Sequence, residues 1–263
     1  MAKNKKSRPK VGFYGLTGCA GCLLSVIFNE DELLDIISNI DIVAFPFIKG
    51  ENDDTCPLDI CFIEGTIVSN DDLEIAKKLR ERSKTVIALG TCACEGNIPS
   101  IRNFHDKKDF DKLLYKKNHQ IQDLGNPVPL HKMIEVDISI PGCPPDRDEI
   151  KTFIKHLLLG KIYYGCSSPV CEECKLAETN CLLDDKIICA GPITKGGCKA
   201  VCTTHGLRCY GCRGLTDDAN FDEYFTMLKE KGFTEQDIKK ILDTFSALEV
   251  DKRLEGTRWQ RSH

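Results

Sequence analysis

The chain has 263 residues, 41% hydrophobic and 29% charged, enough to bury a core of its own. A formal net charge of −4 provides no basic field for nucleic acid, and no apolar run reaches the roughly 18 residues of a membrane span. The outlier is cysteine, with 16 residues beside a single Trp and 3 Met.

In chain order, residues 1–10 carry Lys3, Lys5, Lys6, Arg8 and Lys10, and the apolar stretch 11–16 is too short and glycine-broken for a signal-peptide core. The expectation is a cytoplasmic chain with reduced thiols, which sets disulfides aside and leaves zinc or iron–sulfur clusters. Residues 11–14, 42–47, 60–68, 85–89 and 136–140 are rich in Val, Ile and Phe and have strand length. Helical patterns lie between them at 23–37, 71–83, 106–117 and 146–159, the last entered after Pro144-Pro145. In the second, Leu73, Ile75, Ala76 and Leu79 form the apolar face and Glu74 pairs with Lys78 on the wet side. This alternation predicts an α/β domain over residues 1–160 with a doubly wound parallel sheet. From about residue 161 the chain becomes irregular and dense in cysteine and glycine, so that something coordinated must hold it. Helical patterns return at 221–231 and 235–248, separated by Gly232 as C-cap and Thr234 as N-cap. The expected organisation is 1–160, 161–215 as an irregular cluster domain, and 216–263 as a helical tail. The charged end, 249–263, is expected to fray or to dock on a partner.

Three times an apolar strand runs into glycine and then cysteine: at Gly18-Cys19-Ala20-Gly21-Cys22, at Gly90-Thr91-Cys92, and at Gly142-Cys143. In a parallel sheet all three loops emerge at the carboxyl edge, where open α/β sheets bind ligands. Cys19, Cys22, Cys92 and Cys143 therefore converge as four thiolates. Such a set suits either Zn²⁺ or a [4Fe–4S] cluster. Structural zinc clips a local hairpin, whereas these ligands come from three distant strands of a sheet already able to fold, which favours iron–sulfur. The later cysteines divide into two fours, Cys171, Cys174, Cys181, Cys189 and Cys198, Cys202, Cys209, Cys212, whose CxxC pairs also suit zinc. Three thiolate sites in one chain favour an electron wire. Cys56, Cys61, Cys94 and Cys166 are left over. Cys61 reads as a buried apolar thiol, Cys56 before Pro57 as an unremarkable loop residue, Cys94 as a competitor of Cys92, and Cys166, five residues before Cys171, as a weaker candidate for the set of Cys171, Cys174, Cys181 and Cys189.

TGCAGC at 17–22, FIEGTI at 62–67, ALGTCAC at 88–94 and PGCPP at 141–145 resemble the small subunit of [NiFe] hydrogenases. PVCEEC at 169–174, CAGPIT at 189–194, GGCKAVC at 196–202 and CYGCRG at 209–214 resemble the delta subunit of cytosolic sulfhydrogenases. The resemblance covers nearly the whole chain. It implies a flavodoxin-like domain with a proximal [4Fe–4S] cluster on Cys19, Cys22, Cys92 and Cys143. It also implies a medial cluster on Cys198, Cys202, Cys209 and Cys212 and an outer one on Cys171, Cys174, Cys181 and Cys189. The chain would then be the electron-transfer subunit in reversible H₂ oxidation. The nickel–iron site would lie in a large subunit, and electrons would pass to partners carrying flavin, iron–sulfur clusters and NAD(P). No catalytic residue is assigned to the chain itself. The alternatives are a small subunit feeding heterodisulfide reductase or F420, a complex I-like or membrane-hydrogenase subunit, and a zinc-stapled scaffold without redox role.

Four departures from the family pattern stand out. Cys171 replaces the histidine of periplasmic relatives, implying an all-thiolate outer site, and Gly18 replaces a glutamate of their proton path. A double glycine after the GTC motif is here Gly96-Asn97. Cys202 stands where periplasmic relatives lack a cysteine, implying a four-iron medial cluster. Glu64 is read either as a hydrogen-bond acceptor of the cluster loops or as a cap. His205 is read as a donor to a cluster or as a surface residue.

Overall fold

The computed structural model describes residues 8–28, 38–106 and 125–260. Strands β1 (Lys10–Gly15), β2 (Asp41–Ala44), β3 (Leu58–Glu64), β4 (Ser83–Leu89) and β5 (Ile138–Ile140) form one sheet in the order β2-β1-β3-β4-β5. All four pairings are parallel. This is the flavodoxin-like order, with its topological switch between β1 and β3. In the first half, α1 (Gly21–Ile27), α2 (Asn70–Arg82), α3 (Thr91–Glu95), α4 (Asn97–Ser100) and α5 (Arg147–Leu158) follow the strands.

The period of two along each strand sorts its side chains between two cores. Val11, Phe13, Ile60, Phe62, Ile87 and Leu89 pack with Leu23 and Val26 of α1 and Ile150 and Phe153 of α5. Ile63, Val86, Ala88 and the fully buried Cys61 pack on the other face with Ala76 and Leu79 of α2 and Ala93 of α3. Helix α2 starts one residue before the expected 71, because Ser69 and Asp72 close a capping box. The Asp72 carboxylate also accepts from Thr17 Oγ1 at 2.9 Å, tying the loop after β1 to α2.

Two strands end before the expected residue. β2 ends at Ala44 rather than residue 47: Pro46 has no N–H to continue the ladder, Asn52 Oδ1 accepts from Phe45 N at 2.7 Å, and the chain turns. β3 spans Leu58–Glu64 rather than 60–68, because Gly65 (φ +89°) breaks it and Thr66 and Ile67 make only isolated antiparallel bridges. The predicted helix at 23–37 is described only as far as α1 and residue 28. Beyond residue 106, the one predicted at 106–117 lies outside the described residues.

The second half contains α6 (Val170–Leu176), α7 (Val201–Thr204), α8 (Phe221–Glu230) and α9 (Glu235–Leu254). The segment poor in aliphatics borrows its core: Val170, Ile188, Ile193 and Leu215 pack with Phe225, Leu228, Ile238, Leu242 and Val250 of the terminal helices. Helix α9 is longer than predicted, bending at Ser246 and reaching Leu254. The described part of the end, to residue 260, does not fray. Leu254 and Trp259 are buried in the chain's own core, Trp259 stacks on Phe225 at 5.0 Å, and its indole N–H donates to Asp222 at 2.8 Å. No helix among the described residues is long and apolar enough to cross a membrane.

Candidate metal centres

The carboxyl edge of the sheet delivers the first four thiols. β1 leads into Cys19 and into Cys22 of α1, β4 into Cys92 of α3, and β5 into Cys143. Each of the four lies within electrostatic range of the other three. Burial first pushes Cys22 and Cys92 above the ordinary thiol range; the Glu64 carboxylate and then the other thiols add to the rise of Cys22, and thiol repulsion to that of Cys92. Cys143 is raised by burial and by Cys19, against the pull of Asn97. Four crowded thiols resist ionising together unless cations sit among them.

The backbone comes close here. Gly90 adopts φ 84°, ψ 165°, and a Cβ on it would stand 2.1 Å from Cys22 Sγ. Glu64 at the end of β3 is 2% exposed and accepts from Cys22 N at 3.2 Å, with further bonds from the amides of Ala20 and Leu23. These are first-turn amides of α1, so both readings of Glu64 hold: one carboxylate caps the helix and fixes the cysteine loop. Its burial raises the carboxyl while the amides oppose the rise. Asn97, read from sequence only as a missing glycine, is buried and sends Nδ2 to Cys92 Sγ at 3.2 Å and Cys143 Sγ at 3.6 Å. A carboxamide five residues after Cys92 was the available signal. Thr66 Oγ1 completes the cradle, donating to the carbonyls of Cys92 and Gly96 at 3.1 Å.

Cys198, Cys202, Cys209 and Cys212 line one cavity of about 980 Å³, whose wall also includes Cys143. Lys199 and Ala200, both at positive φ (56° and 52°), turn the chain between Cys198 and Cys202. The Glu173 carboxylate pins that turn, accepting from Gly197 N at 2.6 Å and Ala200 N at 3.1 Å. Burial and then Glu173 raise Cys198 to about 11. Burial likewise raises Cys202, Cys209 and Cys212.

The third set gathers around α6. Cys171 lies within electrostatic range of Cys174, Cys181 and Cys189, and burial raises it to about 12. Thr203 Oγ1 stands 2.9 Å from Cys174 Sγ, and a Cβ on Gly191 would meet Cys171 Sγ and Cys189 Sγ at 3.3 and 3.5 Å. Two hydrogen bonds link the sets in series. The Cys143 amide bonds Cys212 Sγ, and the Cys209 amide donates to Cys189 Sγ at 3.3 Å.

Four cysteines fall outside the three sets, Cys166 among them beside Gly196 near the loop of Cys198. Cys56 Sγ accepts from Lys10 Nζ at 3.1 Å, and Cys94 is buried on the α2–α3 face with its thiol 3.6 Å from Ala88 O. Cys166 Sγ is 3.7 Å from Ser168 O. His205 is exposed, its Nδ1 2.8 Å from Val201 O, which is the surface reading. No three His, Cys, Asp or Glu groups among the described residues are placed to share one metal ion.

Residues 19–157 match the family model of the NADH ubiquinone oxidoreductase 20 kDa subunit. Sulfhydrogenase 2 subunit delta of Pyrococcus furiosus is 36% identical over 238 residues, 90% of this chain and 99% of that protein. A chain of the vhu F420-non-reducing hydrogenase of Methanocaldococcus jannaschii is 33% identical over 237 residues, 79% of this chain and 82% of that protein. Among solved structures, a chain of NAD⁺-reducing [NiFe]-hydrogenase in the H₂-reduced state superposes with a TM-score of 0.54 at 25% identity. That match covers 60% of this chain and 94% of that one.

Proposed function

We propose, from the premise that the chain belongs to the NADH ubiquinone oxidoreductase 20 kDa subunit family and is a hydrogenase small subunit within it, that it relays electrons through three [4Fe–4S] clusters during reversible H₂ oxidation. Such a subunit pairs with a large subunit, and the whole is an oxidoreductase acting on H₂. Cys19, Cys22, Cys92 and Cys143 would hold the proximal cluster, facing a nickel–iron site in that large subunit. Cys198, Cys202, Cys209 and Cys212 would hold the medial cluster, and Cys171, Cys174, Cys181 and Cys189 the outer one. The clusters supply one-electron transfer. The chain's own residues bind them, shield them, and fix their order. In this reading residues 1–160 carry the first set, 161–215 the other two, and 216–263 the helices that complete their core.

The observation that carries this is the serial linkage of twelve thiols, with Cys143 N–H on Cys212 Sγ and Cys209 N–H on Cys189 Sγ at 3.3 Å. Thiol sets drawn from distant loops and linked one to the next suit electron-carrying clusters better than zinc staples of local hairpins. Anaerobic iron and sulfide analysis tests the reading: it expects about 12 Fe and about 12 labile sulfides per chain. About 8 Fe, or stoichiometric zinc, removes a set from the scheme.

For the acceptor we propose a flavin/NAD(P) partner with its own iron–sulfur subunits, in a cytoplasmic complex. A second reading, delivery to an acceptor other than NAD(P), is favoured by one finding: the relative named as an F420-non-reducing hydrogenase subunit matches 79% of this chain, whereas the NAD⁺-reducing structure matches 60%. Affinity purification of the native complex separates them by the partner chains and flavin recovered.

A further inference from the structure

A buried ion pair sits between the first and second thiol sets. Arg213 directly follows Cys212 and is 2% exposed. Its guanidinium forks onto Glu149 in the first turn of α5, Nη1 to Oε2 at 2.6 Å and Nη2 to Oε1 at 2.7 Å. Nη1 also donates to Pro141 O at 3.0 Å, two residues before Cys143. Nε donates to Gly196 O, two residues before Cys198. The Tyr163 hydroxyl donates to Glu149 Oε1 at 2.8 Å, completing the carboxylate's partners. A Cβ on Gly197 would fall 2.5 Å from Nη2, so the loop ahead of Cys198 packs against the guanidinium itself. One side chain thus binds the loops of Cys143, Cys198 and Cys212 to a single helix.

Stability alone is a poor reason for such a pair. Desolvating both charges cancels much of their attraction, and apolar replacements of buried pairs are often neutral or better. Its location supplies a different reason. Arg213 acts electrostatically on both Cys198 and Cys212. A cation fixed in a poorly polarisable interior stabilises the more negative, reduced form of a neighbouring cluster, and an uncompensated carboxylate does the opposite. We propose that Arg213, held by Glu149, is the positioning residue of the second thiol set: it clamps the Cys143 and Cys198 loops against Cys212, and its charge sets the reduction potential of the cluster held there. This rests on the reading that Cys198, Cys202, Cys209 and Cys212 bind a [4Fe–4S] cluster.

The test is EPR-monitored potentiometry of the purified complex carrying Arg213→Gln, Glu149→Gln, or both. Arg213→Gln removes the cation and lowers the potential of the second cluster. Glu149→Gln keeps the arginine and a neutral acceptor for it, leaves the cation uncompensated, and raises that potential. The double variant returns toward wild type, and the first cluster shifts less in all three. A pair that merely staples loops would move both single variants in the same direction. If Arg213→Gln loses the cluster altogether, Glu149→Gln still decides, because an unchanged or lowered potential there overturns the proposal. Cys212→Ala separates the underlying reading, because alanine offers no ligand atom: if it leaves the iron content of the complex unchanged, the second set holds no cluster and the proposal falls with it.

Discussion

Replacing Gly90 by Ala probes the first thiol set through the backbone, without touching a thiol. Gly90 sits at φ 84°, ψ 165°, a region populated almost only by glycine, and forcing Ala there costs about 1–3 kcal/mol. The added methyl would meet Cys22 Sγ at 2.1 Å, where ordinary contact begins at 3.4 Å, so the thiol must move by more than an ångström. Glu64 resists that movement by holding Cys22 N at 3.2 Å. Gly160→Ala is the control: its φ is also positive (+65°), but nothing lies within 4 Å of the new Cβ. The control costs about 1–2 kcal/mol of backbone strain and leaves iron content unchanged. Gly90→Ala is expected to lose the proximal cluster, about 4 of about 12 Fe, while the other two sets stay filled. Anaerobic iron analysis beside EPR reads both. Full iron with a wild-type proximal signal in Gly90→Ala would refute the placement of Cys22 against Gly90.

Cys202→Ala removes one of the four thiols of the second set and leaves the first set intact; EPR of the oxidised complex should show a three-iron signal absent from wild type, with H₂ oxidation by a high-potential dye retained and H₂ evolution sharply reduced. An unchanged cubane in that variant would mean that Cys202 is not a ligand. Glu95, raised to about 7 by burial first and then by Glu249, carries a pH signature. Its folded value lies above the unfolded 4.5, so its stability contribution is fully present below about pH 4.5 and is lost as pH rises through about 7. Glu95→Gln should therefore gain up to about 3 kcal/mol on wild type between pH 5 and pH 8, read as diverging thermal midpoints; parallel midpoints across that range would contradict it.

The sheet and the approximate places of the thiols are legible along the chain. Strands of β-branched and aromatic residues announce themselves over a few positions, and a glycine and cysteine at the end of three parallel strands must emerge on one edge. Helix starts were equally local, as Ser69 and Thr234 each bond an amide three residues on. What holds the thiols in place comes from contacts between distant segments. Cys92 and Cys94 are two residues apart, yet Cys92 joins the thiol cradle while Cys94 is buried in the core of the α2–α3 face. Arg213 and Glu149 are 64 residues apart, and Tyr224 reaches the Cys189 carbonyl across 35. The end expected to fray or to dock on a partner instead packs, as far as residue 260, on the chain's own core, because Trp259 finds Phe225 and Asp222, a docking that no charge pattern within 249–263 encodes. Short-range steric and hydrogen-bonding preferences repeat with the period of a strand or helix and so can be read along the chain. A contact between distant segments depends on how the elements pack, and that is fixed only when their buried faces meet.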